Sequence, residues 1–197
     1  MFFTITILPI IMKIFITGAT GFIGTELLKQ LKGTNHELVC LVRENSPSRT
    51  KLESAGINEV IGDIRDKATV LNGMKGCQYV INLAAHYELW SVNNKLFKDI
   101  NVEGTRNVME CALKVKATKV VHVCSVVTFG KPEEQPFTEE SKKGSETFSR
   151  YARTKLQGSK IAWAMYKNQG LPLVVVYPGI VLGPGDQKSP GKYISDL

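Results

Sequence analysis

The hydrophobic residues of the chain change their spacing near the start, and this change marks the first structural unit. Ile14, Phe15 and Ile16 form an unbroken apolar run, as in a strand that is buried on both faces. Spaced glycines follow, and apolar residues then recur at helical spacing, at Phe22, Ile23, Leu27, Leu28 and Leu31. The pattern predicts a strand, a tight turn and a helix that begins within the glycine segment, residues 18–24.

Strand and helix patterns continue to alternate along the chain. Apolar runs predict further strands at 36–42, 77–85, 119–124 and 171–178. A short strand is also predicted to begin at Glu59, followed by an acidic turn that ends at Asp66. Helical patterns lie around 49–55, at 92–116, where the apolar surface is wider than one stripe, and at 149–169. Residues 131–147 are typical of a polar surface loop and 179–185 of a glycine-rich turn. This alternation indicates βαβ units and a parallel sheet.

A length of 197 residues suits one domain with its own core. The apolar segment 1–11, which precedes this domain, has neither a basic flank nor a small-residue cleavage site, so a signal peptide is not predicted there. A membrane span is not expected, because the segment contains Pro9 and would have to use Lys13 and the first strand. We expect an optional extension over 1–11, a natural start at Met12 and one domain over 12–197.

Charge and cysteine content limit the possible partners. The chain has 25 Lys and Arg residues against 18 Asp and Glu, a net charge of +7, but the basic residues are scattered. Scattered charge argues against a nucleic-acid partner and favours a solvated surface. The cysteines stand far apart, and Cys40 and Cys124 lie within apolar runs. This predicts buried thiols, a reducing and hence cytoplasmic location, and no metal site.

Gly18, Gly21 and Gly24 give the predicted turn a chemical use. Glycine lets the backbone turn tightly and approach a ligand, and the helix N-terminus presents free N–H groups with a partial positive charge. The segment therefore predicts a site for a dinucleotide pyrophosphate. Its first interval is one residue longer than in the common fingerprint, so an ordinary strand–helix turn without a ligand is the alternative.

The end of the second predicted strand bears on the choice of dinucleotide. An acidic residue about 20 positions after the glycines binds the ribose of NAD, whereas an arginine there accommodates the 2′-phosphate of NADP. Arg43 occupies that place, with Arg49 close behind and Glu44 beside it. The sequence favours NADP over NAD, and a surface arginine without a cofactor role is the alternative.

Tyr151 and Lys155 lie four residues apart on a predicted helix and therefore on one face. A lysine ammonium near a phenol stabilises the phenolate and lowers the tyrosine pKa from its usual value near 10. Ser125, at the end of the fifth predicted strand, supplies a hydroxyl for the same substrate oxygen. Such a group of side chains suits proton transfer during hydride transfer to a carbonyl, although this spacing alone also occurs in surface pairs.

Ordered motifs between residues 12 and 185 carry a resemblance to a known family: T-G-A-T-G-F-I-G at 17–24, D-I-R at 63–65, N-L-A-A at 82–85, N-V-E-G-T at 101–105, the segment 125–130, Y-A-R-T-K at 151–155 and Y-P-G-I-V-L-G-P-G at 177–185. The chain resembles an extended short-chain dehydrogenase/reductase of the NAD(P)-dependent epimerase/dehydratase superfamily. A-A-H-Y-E-L-W at 84–90, followed by N-V-E-G-T-R-N at 101–107, looks most like the dihydroflavonol-reductase-like and hopanoid-associated sugar-epimerase-like proteins.

The resemblance implies a Rossmann-type, doubly wound parallel sheet in three α/β/α layers, ending here after about the sixth strand. It implies Tyr151 as general acid/base, Lys155 on the nicotinamide ribose, Ser125 as the group that polarises the substrate and Asn101 as a residue that orders a proton-relay water. It also implies that the pyrophosphate is lined by Gly18, Gly21, Phe22 and Ile23, the adenine by Asp63 and Ile64, the cofactor near its ribose by Ala84 and Ala85, and the nicotinamide by Tyr177, Pro178, Gly179 and Ile180. The further implied cofactor contacts are Thr20, Gly24, Leu83, Arg43, Tyr151 and Lys155.

The chain departs from the family pattern at two positions and in length. Tyr177 stands where the family usually has Arg, and Cys124 where Ser or Thr is frequent. Family members usually continue for another hundred residues or more, which supply most of the substrate pocket. We therefore expect a truncated chain that holds the cofactor half.

Three functions follow as hypotheses. The first is an NADP-dependent oxidoreductase that acts on a small carbonyl or secondary alcohol, and the second is a nucleotide-sugar epimerase or dehydratase with retained NAD. The third is a dinucleotide-binding module without catalytic activity. A homodimer through residues 92–116 and 149–169 is expected from the family resemblance.

Overall fold

The computed structural model describes residues 11–46, 49, 52, 57–88, 94–131, 136–141, 149–184 and 186. They form a six-stranded sheet in the order β3-β2-β1-β4-β5-β6, in which every neighbouring pair is parallel. The strands are β1 (Lys13–Thr17), β2 (Glu37–Val42), β3 (Asn58–Ile61), β4 (Tyr79–Asn82), β5 (Lys119–Val123) and β6 (Leu173–Val176). This order confirms the predicted doubly wound sheet and places a topological switch point between β1 and β4.

The helices are α1 (Phe22–Leu31), α2 (Lys67–Met74), α3 (Asn94–Lys98), α4 (Thr105–Lys114) and α5 (Arg150–Gln169), with a π-helix at Asp99–Gly104 and a 3₁₀ helix at Val126–Phe129. Side-chain caps fix two of the starts: Asp66 accepts from the N–H groups of Ala68 and Thr69, and Ser149 accepts from that of Ala152. α5 ends at Gln169 and is capped by Gly170, whose φ of 70° is the left-handed conformation that glycine tolerates.

The core lies on both faces of the sheet. Phe15 joins a cluster with residues of α2, α4 and α5, whereas Ile14 and Ile16 join a second cluster with Leu28 of α1. Successive β1 side chains point to opposite faces, so an apolar residue is needed at each position. This explains the unbroken apolar run from which the strand was predicted.

The predicted helix over 92–116 is corrected by the structure. The described part is a helical run from Asn94 to Lys114, and its middle, Asp99–Gly104, is a π-helix rather than an α-helix. Val108, Met109, Cys111 and Ala112 are buried in the first core cluster, which accounts for the wide apolar surface of this stretch. The homodimer that was expected through it stays a prediction.

Other predicted boundaries shift by a few residues. The fourth strand ends at Asn82 rather than 85, and the sixth covers Leu173–Val176 rather than 171–178. α2 and the 3₁₀ helix were not predicted from the sequence. The proposed extension lies outside the described residues except for Ile11, and the predicted helix at 49–55 lies outside them except for Arg49 and Leu52.

The cysteines are free and buried, as predicted for Cys40 and Cys124. Burial raises the pKa of the Cys40 thiol to about 12, so this thiol is protonated at neutral pH and unreactive. Among the described helices, none has the length and apolar character needed to cross a membrane.

Candidate functional site

The glycine turn lies at the carboxyl end of β1, against the end of β4. Gly18 has a φ of +74°, and a Cβ atom there would stand 2.7 Å from the backbone nitrogen of Ala84. A Cβ atom on Gly24 would overlap the carbonyl oxygen of Gly18, and the N–H of Gly21 donates to that oxygen at 3.0 Å. Gly18 and Gly24 are therefore required by the turn itself, because each side chain would meet backbone.

The start of α1 faces out of this turn. Gly21 is its N-cap residue and supplies no side-chain hydrogen bond to the first helical N–H groups. Such groups need partners, and an anion is a suitable one. A Cβ atom on Gly183 would lie 3.5 Å from the Phe22 ring, so the turn after β6 comes close to the same helix start. These features fit a dinucleotide pyrophosphate.

A cavity of about 440 Å³ lies beyond the ends of β2 and β3 and is lined by Arg43, Glu44, Asn45, Ile61, Gly62, Asp63 and Arg65. Arg65 holds Asp63 through two hydrogen bonds of 2.8 Å each. Arg65, and more weakly Arg43, lower the pKa of the Asp63 carboxyl. The structure thus brings Arg43, predicted for the ribose phosphate, and Asp63, predicted for the adenine, to one cavity, and it adds Arg65, which was noted only as part of a motif.

Arg49, the second arginine of the prediction, does not line this cavity. Its Nε donates to Glu59 at 3.0 Å. Ile64 is buried in the core, where its side chain fills the space beside Gly104. Any contact of Ile64 with an adenine must therefore be made by its backbone.

Ser125, Tyr151 and Lys155 meet at the carboxyl end of β5. Ser125 follows β5, caps the 3₁₀ helix and lies close enough to Tyr151, the second residue of α5, for its hydroxyl to lower the pKa of the phenol. Lys155 lies one turn later, is only 2% exposed and donates from Nζ to the carbonyl oxygen of Val123 at 2.7 Å. Burial lowers the pKa of Lys155. The three side chains predicted from distant parts of the sequence thus converge.

The predicted effect of Lys155 on Tyr151 is wrong for this structure. The pKa of Tyr151 is raised to about 12, first by burial and then by Cys124 and Tyr87, while the hydrogen bond with Ser125 lowers it. The reason is that desolvation of the phenolate is the larger effect, and the ammonium of Lys155 is directed to the Val123 carbonyl. At neutral pH Tyr151 is therefore a protonated phenol.

Asn101, in the π-helix, ties the loop after β4 to the helix that carries Tyr151. Its Oδ1 accepts from the His86 N–H at 2.8 Å, and its Nδ2 donates to the His86 carbonyl at 3.1 Å and to Thr154 Oγ1 at 3.0 Å. The side chain is 1% exposed. Asn101 is thus a positioning residue in this structure, and its role towards a relay water stays a prediction.

A family model described as NAD dependent epimerase/dehydratase family matches residues 14–197. The chain belongs to the NAD dependent epimerase/dehydratase family. This confirms the superfamily that the motifs indicated. The family is described as NAD dependent, and the assignment of the uncapped helix start and the glycine turn to the dinucleotide stays a prediction.

Similar proteins support the same family and fold. The chain is 32% identical to a putative dihydroflavonol 4-reductase of Synechocystis sp. over 176 residues, which are 88% of this chain and 50% of the relative. It superposes on the crystal structure of gox2253 with a TM-score of 0.82 and 29% identity, covering 92% of this chain and 56% of that one. It superposes on the enzyme WbmH of Bordetella bronchiseptica in complex with NAD+ with a TM-score of 0.79 and 25% identity, covering 91% of this chain and 60% of that one. The chain spans about half the length of the curated relative.

The remaining predicted residues of this family member lie around the same sheet edge. Leu83, Ala84 and Ala85 follow β4, and Thr20 lies in the glycine turn. Pro178, Gly179 and Ile180 follow β6, and Ile180 is 75% exposed. Tyr177, at the position where the family usually has Arg, accepts from Trp163 Nε1 at 3.1 Å and packs edge-on against Phe129. Their cofactor contacts stay predictions.

In the described residues no group of three or more His, Cys, Asp or Glu side chains is placed to hold a metal ion.

Sequence reasoning missed a buried polar chain that crosses three strands behind the site. Thr17 donates to Asn82 Oδ1 at 2.6 Å and accepts from the Ala84 N–H at 3.3 Å. Asn82 Oδ1 accepts a hydrogen bond from the Thr17 hydroxyl, and Asn82 Nδ2 donates a hydrogen bond to His122 Nδ1 at 3.1 Å. A histidine and an asparagine inside apolar strand runs were the available signal, since buried polar side chains need partners.

We expect His122 to make folding stability depend on pH. Burial, and secondly Lys155, hold the pKa of His122 well below its ordinary 6.5. Below pH 6.5 this histidine binds a proton in the unfolded chain but stays neutral in the folded chain, so the free energy of unfolding decreases as the pH falls. Between pH 6.5 and 5 this removes up to about 2 kcal/mol from the free energy of unfolding. Urea unfolding of His122→Asn should show a flatter pH dependence over this range.

The control for this measurement is His36→Asn, which changes a histidine outside the polar chain. This variant should keep the slope of the unaltered protein. If His122→Asn and His36→Asn lose stability with the same slope as the unaltered protein, His122 is not the group responsible.

Proposed function

We propose that the protein to which this chain belongs is an NADP-dependent oxidoreductase that transfers hydride between the nicotinamide and a carbonyl or secondary alcohol. The observation that carries the proposal is the meeting of Ser125 and Tyr151 at the sheet edge that also holds the glycine turn. Ligands of open α/β sheets bind at this edge, beside the switch point. A relative named as a putative dihydroflavonol 4-reductase supports a carbonyl substrate.

Different residues of the chain have different roles in the proposed reduction of the carbonyl. Bound NADPH supplies the hydride. Tyr151, protonated at neutral pH, donates its phenolic proton to the oxygen of the carbonyl as negative charge develops there. The Ser125 hydroxyl donates a second hydrogen bond to the same oxygen. Lys155 would hold the nicotinamide ribose, and the N–H groups at the start of α1 would bind the pyrophosphate.

The preference for NADP rests on the cavity at the ends of β2 and β3. Arg43 is exposed at its wall, and Arg65 is a second arginine there, although Asp63 already engages it. A 2′-phosphate carries nearly two charges and suits an arginine fork. Glu44, in the same wall, favours the alternative of NAD, the cofactor expected of an epimerase or dehydratase.

Arg43→Glu should reverse the cofactor preference. A hydrogen bond to a charged group contributes about 1.5–3 kcal/mol, so we expect affinity for NADPH to fall by roughly 10-fold to 100-fold. Affinity for NADH, which lacks the phosphate, should change by less than about threefold. Dissociation constants from fluorescence titration with both cofactors measure the change.

The matched control is Lys75→Glu, the same change of charge in the turn before β4, at the opposite edge of the sheet. It should leave both dissociation constants nearly unaltered. Equal weakening of NADPH by the two variants would assign the effect to net charge. Tighter binding of NADH than NADPH by the unaltered protein, or cofactor that survives purification, would favour the epimerase or dehydratase.

A further inference from the structure

Tyr87 lies directly beside the proposed proton donor. Its ring centroid is 4.9 Å from that of Tyr151, with the two ring planes at 79°. It follows β4 by five residues and shares its loop with Ala84 and Ala85, which are predicted to contact the cofactor. An aromatic side chain from the loop that carries predicted cofactor contacts thus lies against Tyr151.

The loop that carries Tyr87 is held in place on its other side. The backbone of His86 makes two hydrogen bonds with Asn101, and its ring packs edge-on against Phe97 at 4.5 Å. Because the neighbouring residue is fixed at both backbone and side chain, the position of Tyr87 is defined by the fold. Pre-organised contacts of this kind are typical of ligand sites.

Tyr87 also retains accessible surface. It is 37% exposed, and Val127, in the 3₁₀ helix that Ser125 caps, is 42% exposed. An aromatic side chain therefore packs beside Tyr151 and remains open to a ligand, and a second apolar side chain is exposed two residues after Ser125. An apolar or aromatic substituent of a ligand is removed from water when it packs against such side chains.

We propose that Tyr87 forms one wall of the substrate site and selects carbonyl substrates with an apolar or aromatic group next to the reacting carbon. The proposal rests on the proposed function, because it takes Tyr151 and Ser125 as the groups that meet the carbonyl oxygen. Tyr87 acts through the face of its ring, so its hydroxyl is not required.

The test compares two probes that differ in one substituent. Phenylpropanedione and diacetyl share a dicarbonyl group and carry a phenyl or a methyl group at one end. Their dissociation constants are measured in the presence of NADP+, which cannot donate hydride, so that binding is separated from reaction. We expect the unaltered protein to bind phenylpropanedione about tenfold more tightly than diacetyl.

Tyr87→Ala should remove this preference, by weakening phenylpropanedione about tenfold and diacetyl by less than twofold. Tyr87→Phe should retain it, and Tyr87→Leu, which keeps apolar volume, should retain part of it. The matched control is Tyr166→Ala, which removes a 47% exposed tyrosine near the far end of α5. NADP+ affinity and thermal unfolding report whether each variant is folded.

Several outcomes would overturn the proposal: no preference in the unaltered protein, a preference that survives Tyr87→Ala, or a loss in Tyr87→Phe as large as in Tyr87→Ala, which would assign the contact to the hydroxyl. The proposed function fails separately. If the unaltered protein shows the expected preference and Tyr87→Ala removes it, but NADPH is never oxidised in the presence of phenylpropanedione, Tyr87 is confirmed as a binding wall and the reductase activity is rejected.

Discussion

Replacing Tyr151 with phenylalanine should reduce kcat for NADPH-dependent reduction of phenylpropanedione by about 10²-fold to 10⁴-fold, the usual contribution of a general acid. The variant keeps the ring that packs against Tyr87 and loses only the phenolic hydroxyl, which is the proposed proton donor. The dissociation constant of NADPH should therefore change by less than about threefold. Initial rates of NADPH oxidation and fluorescence titration measure the two quantities.

The control for Tyr151→Phe is Tyr166→Phe, the same chemical change on the same helix but far from Ser125. It should have no measurable effect on kcat. A Tyr151→Phe protein that binds NADPH normally and turns over at the unaltered rate would show that another group donates the proton.

Gly158→Ala should destabilise the protein although alanine is the better helix former. A Cβ atom at Gly158 would overlap the carbonyl oxygen of Asn101, a backbone atom of the π-helix that cannot rotate away. Overpacking of this kind costs about 3 kcal/mol, and the gain in helix propensity returns about 1 kcal/mol. The net loss of about 2 kcal/mol should lower Tm by roughly 4–8 °C for a chain of this size.

The substitution should also affect the site, because α5 carries Tyr151 and Lys155 while Asn101 holds the loop with His86 and Tyr87. Moving the two helices apart changes the distance between these groups, so kcat should fall at temperatures where the variant is still folded. Gln157→Ala, at the exposed neighbouring position, is the control and should leave Tm and kcat nearly unaltered. A Gly158→Ala protein as stable as Gln157→Ala would mean that the two helices are not in close contact.

The close contact at Gly158 shows where sequence reasoning stopped. A glycine in the middle of a helical pattern weakens a helix prediction. The neighbouring residues in the sequence do not indicate which element packs against it. The partner is the backbone of Asn101, more than fifty positions earlier, and the π-helix at Asp99–Gly104 was likewise read as ordinary α-helix. Both features depend on packing between elements, which a local period cannot show.

The pKa of Tyr151 likewise depends on contacts between elements that the sequence does not show. The spacing of Tyr151 and Lys155 placed both on one helix face, and from this a lowered tyrosine pKa was inferred. The structure directs Lys155 to the Val123 carbonyl and partly buries Tyr151, so the pKa of the phenol rises to about 12. A pKa is set by desolvation and by the direction of nearby groups, and both depend on residues from other strands.

The sequence by itself determined the succession of strands and helices, the parallel sheet, the glycine turn and the family. Each of these follows from local periodicity or from motifs whose residues are neighbours in the chain. Only the tertiary structure decided that Arg65 joins Arg43 at one cavity while Arg49 pairs with Glu59, that Asn82 and His122 share a buried polar chain, and that Tyr87 meets Tyr151. The physical reason is that parallel strands bring residues from distant parts of the chain to one sheet edge, where contacts depend on register and packing.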